Sequence, residues 1–267
     1  MMLGKAKWLL IAGLAVLLAV AWAAAGTDLV SREQGVDNTR LSWGFVKRGA
    51  GKPPLIDRTL TDLADQYGAL YMLTTGNRTV ALTFNLGYEA GYTDDILKVL
   101  EQEGIRAAFF VTGHWLETAP ALAKQVVQEG HLLGNHSWSH KDLTALSDEE
   151  VRLEIMRWDE AARDLVGDTH GLFRPPAGVF SERVLKLARD LGYSTVFWTI
   201  AIVDWVPMED PSLAVRGVVN YLHDGAIIML HGTSQDVAEQ LEVIVDSVIA
   251  AGYRFRPLLE PITPPAR

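Results

Sequence analysis

The sequence predicts an α/β fold, a distorted (β/α)7-type barrel with helices packed outside parallel strands. Two observations carry this. From Thr79 onward, seven short apolar runs alternate with amphipathic stretches of helical period. The amphipathic stretches also open at capping residues or close at glycines. A doubly wound open sheet is the alternative. No glycine-rich phosphate loop follows the first run, which favours the barrel.

The elements follow in order. Val80 to Phe84 (VALTF) reads as a buried strand. Thr93 can cap a helix through Ile96, Leu97, Val99 and Leu100 that Gly104 ends. Ala107 to Val111 is the second strand. A helix from Ala119 to Gln128 stops at Gly130, and His131 to Leu133 is the third strand. Ser147-Asp148-Glu149-Glu150 is a capping-box start for a long helix through Leu165. Gly171 to Phe173 is the fourth strand, and a helix capped by Ser181 runs to Leu191 before Gly192. Ser194 to Ile200 is the fifth strand, Pro211 to Leu222 is helical, and Ala226 to Leu230 is the sixth strand. A helix over Val237 to Ile249 ends at Gly252, and Tyr253 to Phe255 is the last strand. Upstream, Thr59 to Tyr71 reads as one helix and Gly76-Asn77 as a turn.

Of 267 residues, 49% are hydrophobic and 21% charged, enough apolar side chains for a large core. The net charge of −9, with no Lys/Arg block, argues against a nucleic-acid binder. Cysteine is absent, which excludes thiol catalysis, disulfides and cysteine metal sites. Lys5 and Lys7 precede the uncharged run Trp8 to Ala25, with small residues at its end. This reads as a signal peptide or membrane anchor over 1–26, placing the rest outside the cytoplasmic membrane. Residues 27–77 form an arm, and 78–262 form the main domain.

In a barrel of this kind, the chemistry gathers where strands end. The residues just past each apolar run are Asn85 and Glu89, then His114, then His136 and His140, then Arg174, then Asp204 and Trp205, then His231. Four of the seven histidines therefore fall on one rim. His136 and His140, four apart, fall on one side of a helical turn and suit a shared metal. A carboxylate at Asp204 bonded to His231 would fix its tautomer and make it a general acid. Arg174 reads as a clamp for a carboxylate.

These residues stand in five ordered segments: TFNLGYE, HSWSH, RPPAG, VDW and MLH. The set resembles the polysaccharide deacetylase family over about Thr79 to Pro261. GYEAGYT, FFVTGHW, RPPAGVFSE and FWTIAIVDW, with SWGF and YGALY in the arm, are similar to the delta-lactam-biosynthetic de-N-acetylases of spore-forming bacteria. The resemblance implies a metal-dependent de-N-acetylase acting on muramic acid in the glycan strands of spore cortex peptidoglycan, leading to the muramic δ-lactam. It implies that His136 and His140 hold one divalent metal, zinc first, with cobalt or manganese as other fits. It further implies that His231 protonates the leaving amine with Asp204 behind it and that Arg174 orients the base. Trp205, Leu230 and Tyr88 would contact the substrate.

The first segment departs from the family. Asn85 and Leu86 stand where the family usually has two aspartates, a base and a metal ligand. Neutral Asn85 accepts no proton at ordinary pH, and Leu86 binds no metal. Glu89 is the candidate replacement. Two alternatives stand beside the deacetylase of muramic acid: a glycan-binding pseudoenzyme, and a deacetylase of another N- or O-acetylated glycan.

Overall fold

The computed structural model describes residues 35–74 and 77–259. The expected signal or anchor run lies outside the described residues, as does Gly76 of the expected turn. Among the described residues, no helix is long and apolar enough to cross a membrane. Residues from Asn38 onward belong to one compact unit.

Its frame is a parallel sheet. The strands are β4 (Thr79–Leu86), β5 (Ala108–Val111), β6 (Leu132–Asn135), β7 (Leu172–Phe173), β9 (Ser194–Thr195), β10 (Ile200–Ala201) and β11 (Ala226–His231). They pair in the order β10-β11-β4-β5-β6-β7-β9, and β12 (Arg254–Phe255) pairs with the start of β4. The expected fifth strand is thus split. Its first half pairs with β7 and its second half with β11, so one stretch of chain supplies both edges of the sheet. Between them, Val196 N–H donates to Phe173 (2.7 Å) and Thr199 N–H donates to Ile227 (3.0 Å). The sheet is a curled half-barrel whose two edges are linked by the chain itself, with no pairing between β9 and β10.

Both faces of β4 are buried, which is why it reads as a continuous apolar run. Val80, Leu82, Phe84 and Leu86 pack with apolar residues of the outer helices. Those helices include α2 (Thr93–Gln102), α4 (Pro120–Gln128), α5 (Asp148–Val166) and α8 (Gln235–Ala250). The odd positions Ala81, Thr83 and Asn85 lie on the opposite, inner side by strand alternation, with Ala81 packed beside Phe110 and Met229. The capping box at Ser147 and Glu150 forms as the sequence predicts. Helices α6 (Glu182–Asp190) and α7 (Ser212–Val219) complete the outer layer, and α3 (Gly113–Thr118) is a short helix the periodicity does not reveal.

The arm is part of the inner core. Its helix α1 (Arg58–Gln66) is shorter than expected. Gly68, at φ 65°, closes it with hydrogen bonds from Gly68 to Asp65 and from Ala69 to Ala64. The chain then runs extended, and Leu70 bridges Val196. The arm also adds two short pairings. Strand β1 (Leu41–Ser42) meets β8 (Val179–Phe180), and β2 (Phe45–Val46) meets β3 (Leu55–Ile56). Trp43 is buried, stacks on Phe197 at 4.2 Å, and donates its indole N–H to the Trp198 carbonyl at 2.7 Å.

Trp43→Ala is therefore expected to cost about 3–5 kcal/mol, as large-to-small changes of core aromatics do. Trp43→Phe keeps the ring and loses one hydrogen bond, at about 1 kcal/mol. Urea unfolding checks both. A Trp43→Ala midpoint no lower than that of an exposed control such as Lys124→Ala would contradict the arm's place in the core.

Candidate active site

The site lies where β4, β6, β7 and β11 end, and its centre is a buried cation. Arg174 follows β7 and is fully enclosed. Its guanidinium lies 4.0 Å from the Phe110 ring and 5.3 Å from that of Trp198. Gly134 makes room for this, since a Cβ there would come within 2.6 Å of the Phe110 ring. Nε donates to the Val196 carbonyl at 3.2 Å. Nη1 donates to Thr83 Oγ1 at 3.0 Å and to Asn85 Oδ1 at 2.8 Å. Nη2 has no partner. The expected carboxylate clamp is corrected here: Arg174 holds an amide, a hydroxyl and a carbonyl. Burial works against its charge and pushes its pKa well below the usual value.

The histidine pair is set by a loop and not by the expected helical turn. Asn135, buried at the end of β6, accepts the Ser137 N–H at 2.8 Å and donates to the Ile155 carbonyl at 3.0 Å. Ser137 and His140 take left-handed backbone conformations, φ 64° and 57°, and Ser137 Oγ accepts the His140 N–H. Glu154 on α5 anchors the loop, accepting from Ser139 N–H (2.8 Å) and Ser139 Oγ–H (2.5 Å). The His136 and His140 rings come to lie 5.0 Å apart at 76°. His136 Nδ1–H donates to the Arg174 carbonyl at 2.7 Å, which leaves Nε2 with its lone pair. Burial, reinforced by His140, holds His136 well below the usual histidine range; burial lowers His140 too. Burial thereby disfavours the charged form of both rings, and the neutral form is the one a metal ligand needs.

On β11, Asp204 is tied to His231 twice. Its Oδ1 accepts His231 Nδ1–H and its Oδ2 accepts the His231 backbone N–H, each at 2.7 Å. The carboxylate is buried and the ring partly exposed, so Nε2 is left facing outward. Trp205 is exposed and its ring meets His231 edge-on at 5.7 Å. A cavity of about 920 Å³ brings together Tyr88, His114, His140, Asp204, Trp205 and His231.

Two candidates fall elsewhere. Leu230 is fully buried with Phe84 and Leu86 on the helix side of the sheet; by strand alternation Met229 is the inward residue, so Leu230 does not wall the cavity. Leu86 belongs to that same outer cluster. Glu89 accepts hydrogen bonds from Gly91 N–H (2.7 Å), Thr93 Oγ–H (2.6 Å) and the Trp115 indole (3.0 Å). It fastens the start of α2 to α3 and does not line the cavity. Thr83 and Glu154 are positioning residues that sequence reading did not single out. A threonine at an inward position of a buried strand was the available signal for the first; an acid on the buried side of α5 was the signal for the second.

Comparison with known proteins places this geometry. The polysaccharide deacetylase family matches residues 73–196. The peptidoglycan-N-acetylmuramic acid deacetylase PdaA of Bacillus subtilis is 38% identical over 229 residues, 85% of this chain and 87% of that one. The solved structure of B. subtilis PdaA, a family 4 carbohydrate esterase, superposes with TM-score 0.80 over 84% of this chain and 97% of its own. A mutant of a CE4 family pseudoenzyme with restored enzymatic activity is 28% identical, with TM-score 0.67, over 70% of this chain and 68% of its own. The histidine pair, the acid–imidazole couple and the enclosed arginine thus stand on the scaffold these proteins share, and the chain belongs to the polysaccharide deacetylase family.

Proposed function

We propose that the protein is an exported de-N-acetylase acting on muramic acid in peptidoglycan, leading to the muramic δ-lactam. The observation that carries this is the meeting, at one cavity, of the Asp204–His231 couple with His140, whose ring lies 5.0 Å from that of the buried His136. The likeness to PdaA along most of both chains supports the choice of sugar. The lysine-flanked run Trp8 to Ala25 supports export, with the chain secreted or held at the cytoplasmic membrane.

The donor set fits a divalent metal held by two imidazoles. His136 presents Nε2 because its other nitrogen is bonded to a carbonyl. No cluster of three His, Cys, Asp or Glu donors exists among the described residues, so His136 and His140 are the side chains that would hold the ion. A bound zinc, cobalt or manganese ion would polarise the acetamide carbonyl and make water a better nucleophile. The chain's own part follows from the geometry. His231 Nε2 delivers a proton to the departing amine, and Asp204 holds the imidazole in that tautomer. Trp205 and Tyr88, both exposed at the cavity, offer ring faces to the sugar. Asn85 and Arg174 stand where a carboxylate base would be, and neither accepts a proton.

A glycan-binding pseudoenzyme is the second reading. Asn85 and Leu86 favour it, as does the likeness to a CE4 family pseudoenzyme.

Acetate release decides between them. Residues 26–267, reloaded with each metal, are incubated with cortex peptidoglycan whose muramic acid carries no peptide. The expected result is metal-dependent acetate. No acetate from folded protein that binds the glycan would establish the pseudoenzyme. His231→Ala is expected to lower the rate about 10²–10⁴-fold. His136→Ala is expected to abolish both acetate and stoichiometric zinc uptake, measured by metal analysis after dialysis. Glu89→Gln is expected to keep the rate within a few-fold while losing about 1–3 kcal/mol of stability in urea, since one acceptor of a charged hydrogen-bond set is weakened.

A further inference from the structure

Arg174 is a fully enclosed cation with no carboxylate among its partners and one NH2 group bonded to nothing. Enclosed charges are ordinarily paired, because an unpaired one costs several kcal/mol. Its nearest acceptor is the side-chain amide of Asn85. The orientation of that amide is forced: its nitrogen would set donor against donor, so the oxygen faces Arg174. The Asn85 carbonyl is therefore polarised by an enclosed guanidinium, as an amide is before hydrolysis. His231 lies at the register position beside Asn85 on the adjoining strand, on the same inner side, with its Nδ1 fixed by Asp204 and its Nε2 unclaimed. An electrophilic amide, a cation on its oxygen and an oriented imidazole are the requirements for hydrolysing an acetamide. At Asn85 the cation sits on the amide oxygen, and the oriented imidazole stands at the neighbouring register position.

We infer that the site hydrolyses its own Asn85 to aspartate. Water adds through its oxygen to Cγ, the Cγ–Nδ2 bond breaks, and the nitrogen leaves as ammonia. His231 Nε2 takes the proton from water and returns it to the departing nitrogen. The balance is asparagine and water to aspartic acid and ammonia, with no oxidant or co-reactant. The product carboxylate becomes the counter-ion Arg174 lacks and the proton acceptor the site lacks. Asn85 is paired on both sides, to Phe110 and to His231, which holds its backbone extended. That keeps the Leu86 nitrogen from closing onto Cγ, so the product is aspartate and not isoaspartate. The inference uses the groups of the proposed deacetylase, but its test reads mass and not acetate.

The full chain is incubated in heavy-oxygen water and digested with trypsin. The Thr79–Lys98 peptide holds Asn85 as its sole amide side chain. Asn77, exposed and in the preceding peptide, reports background deamidation. The expected result is conversion of Asn85 to normal aspartate with one heavy oxygen, at least about 10-fold faster in wild type than in His231→Ala. His231→Gln repeats the comparison should the alanine variant misfold. An Asn85 that keeps its amide in folded protein, that yields isoaspartate, or that converts equally fast without His231 overturns the inference. A made Asn85→Asp variant is an independent arm. It is expected to unfold at a higher temperature than protein that still carries Asn85, and a lower temperature also overturns the inference. Deacetylase failure with conversion intact would retire only the substrate assignment.

Discussion

The enclosed guanidinium of Arg174 organises the catalytic half of the molecule. Removing such a group from water costs several kcal/mol, and the fold answers with hydrogen bonds from a charged donor worth about 1.5–3 kcal/mol each. Those bonds reach β4 through Thr83 and Asn85 and the link between the sheet edges through Val196. The Arg174 carbonyl reaches the loop after β6 through His136. Three separate stretches of chain are thereby fixed to one residue. The flat ring of Phe110 below it is possible because position 134 has no side chain.

The two histidine devices are built differently. His231 is positioned at the end of a strand and needs one partner, Asp204, which grips both its backbone and its ring. His136 and His140 sit on a loop with two left-handed residues and need a supporting set from β6 and α5. The first is an imidazole whose tautomer is set by its carboxylate. The second is a pair of imidazole donors whose spacing depends on Asn135 and Glu154.

Much of this was legible in the sequence, for identifiable reasons. Strands buried on both faces read as apolar runs, and helices with caps and closing glycines declare their limits. The rim residues were legible because strand ends are where a barrel displays them. What stayed hidden depends on contacts distant in sequence. The run Ser194 to Ile200 looks like one strand because pairing partners leave no mark on hydrophobicity. The helix α1 ends early because Gly68 allows a tight cap, although Leu70 continues the apolar period. Leu230 adjoins His231 in sequence yet faces the opposite side of the sheet. Glu89 has the chemistry of a base, but three donors around it are supplied by residues up to Trp115.

The split run between β7 and β11 has a consequence for the order of assembly. Residues 196–199 join the two edges of the sheet, and the same residues bring Val196 and Trp198 to Arg174. Trp198 is in turn gripped by Trp43 from the arm, more than a hundred residues earlier. Contacts of such long sequence separation form late, after local helices and hairpins. A chain that has collapsed but not joined its edges would have its helices and most of its sheet, yet its arginine would remain wet and its histidines unplaced. Chemical competence therefore arrives with the last step of folding, and partly folded molecules carry none of it.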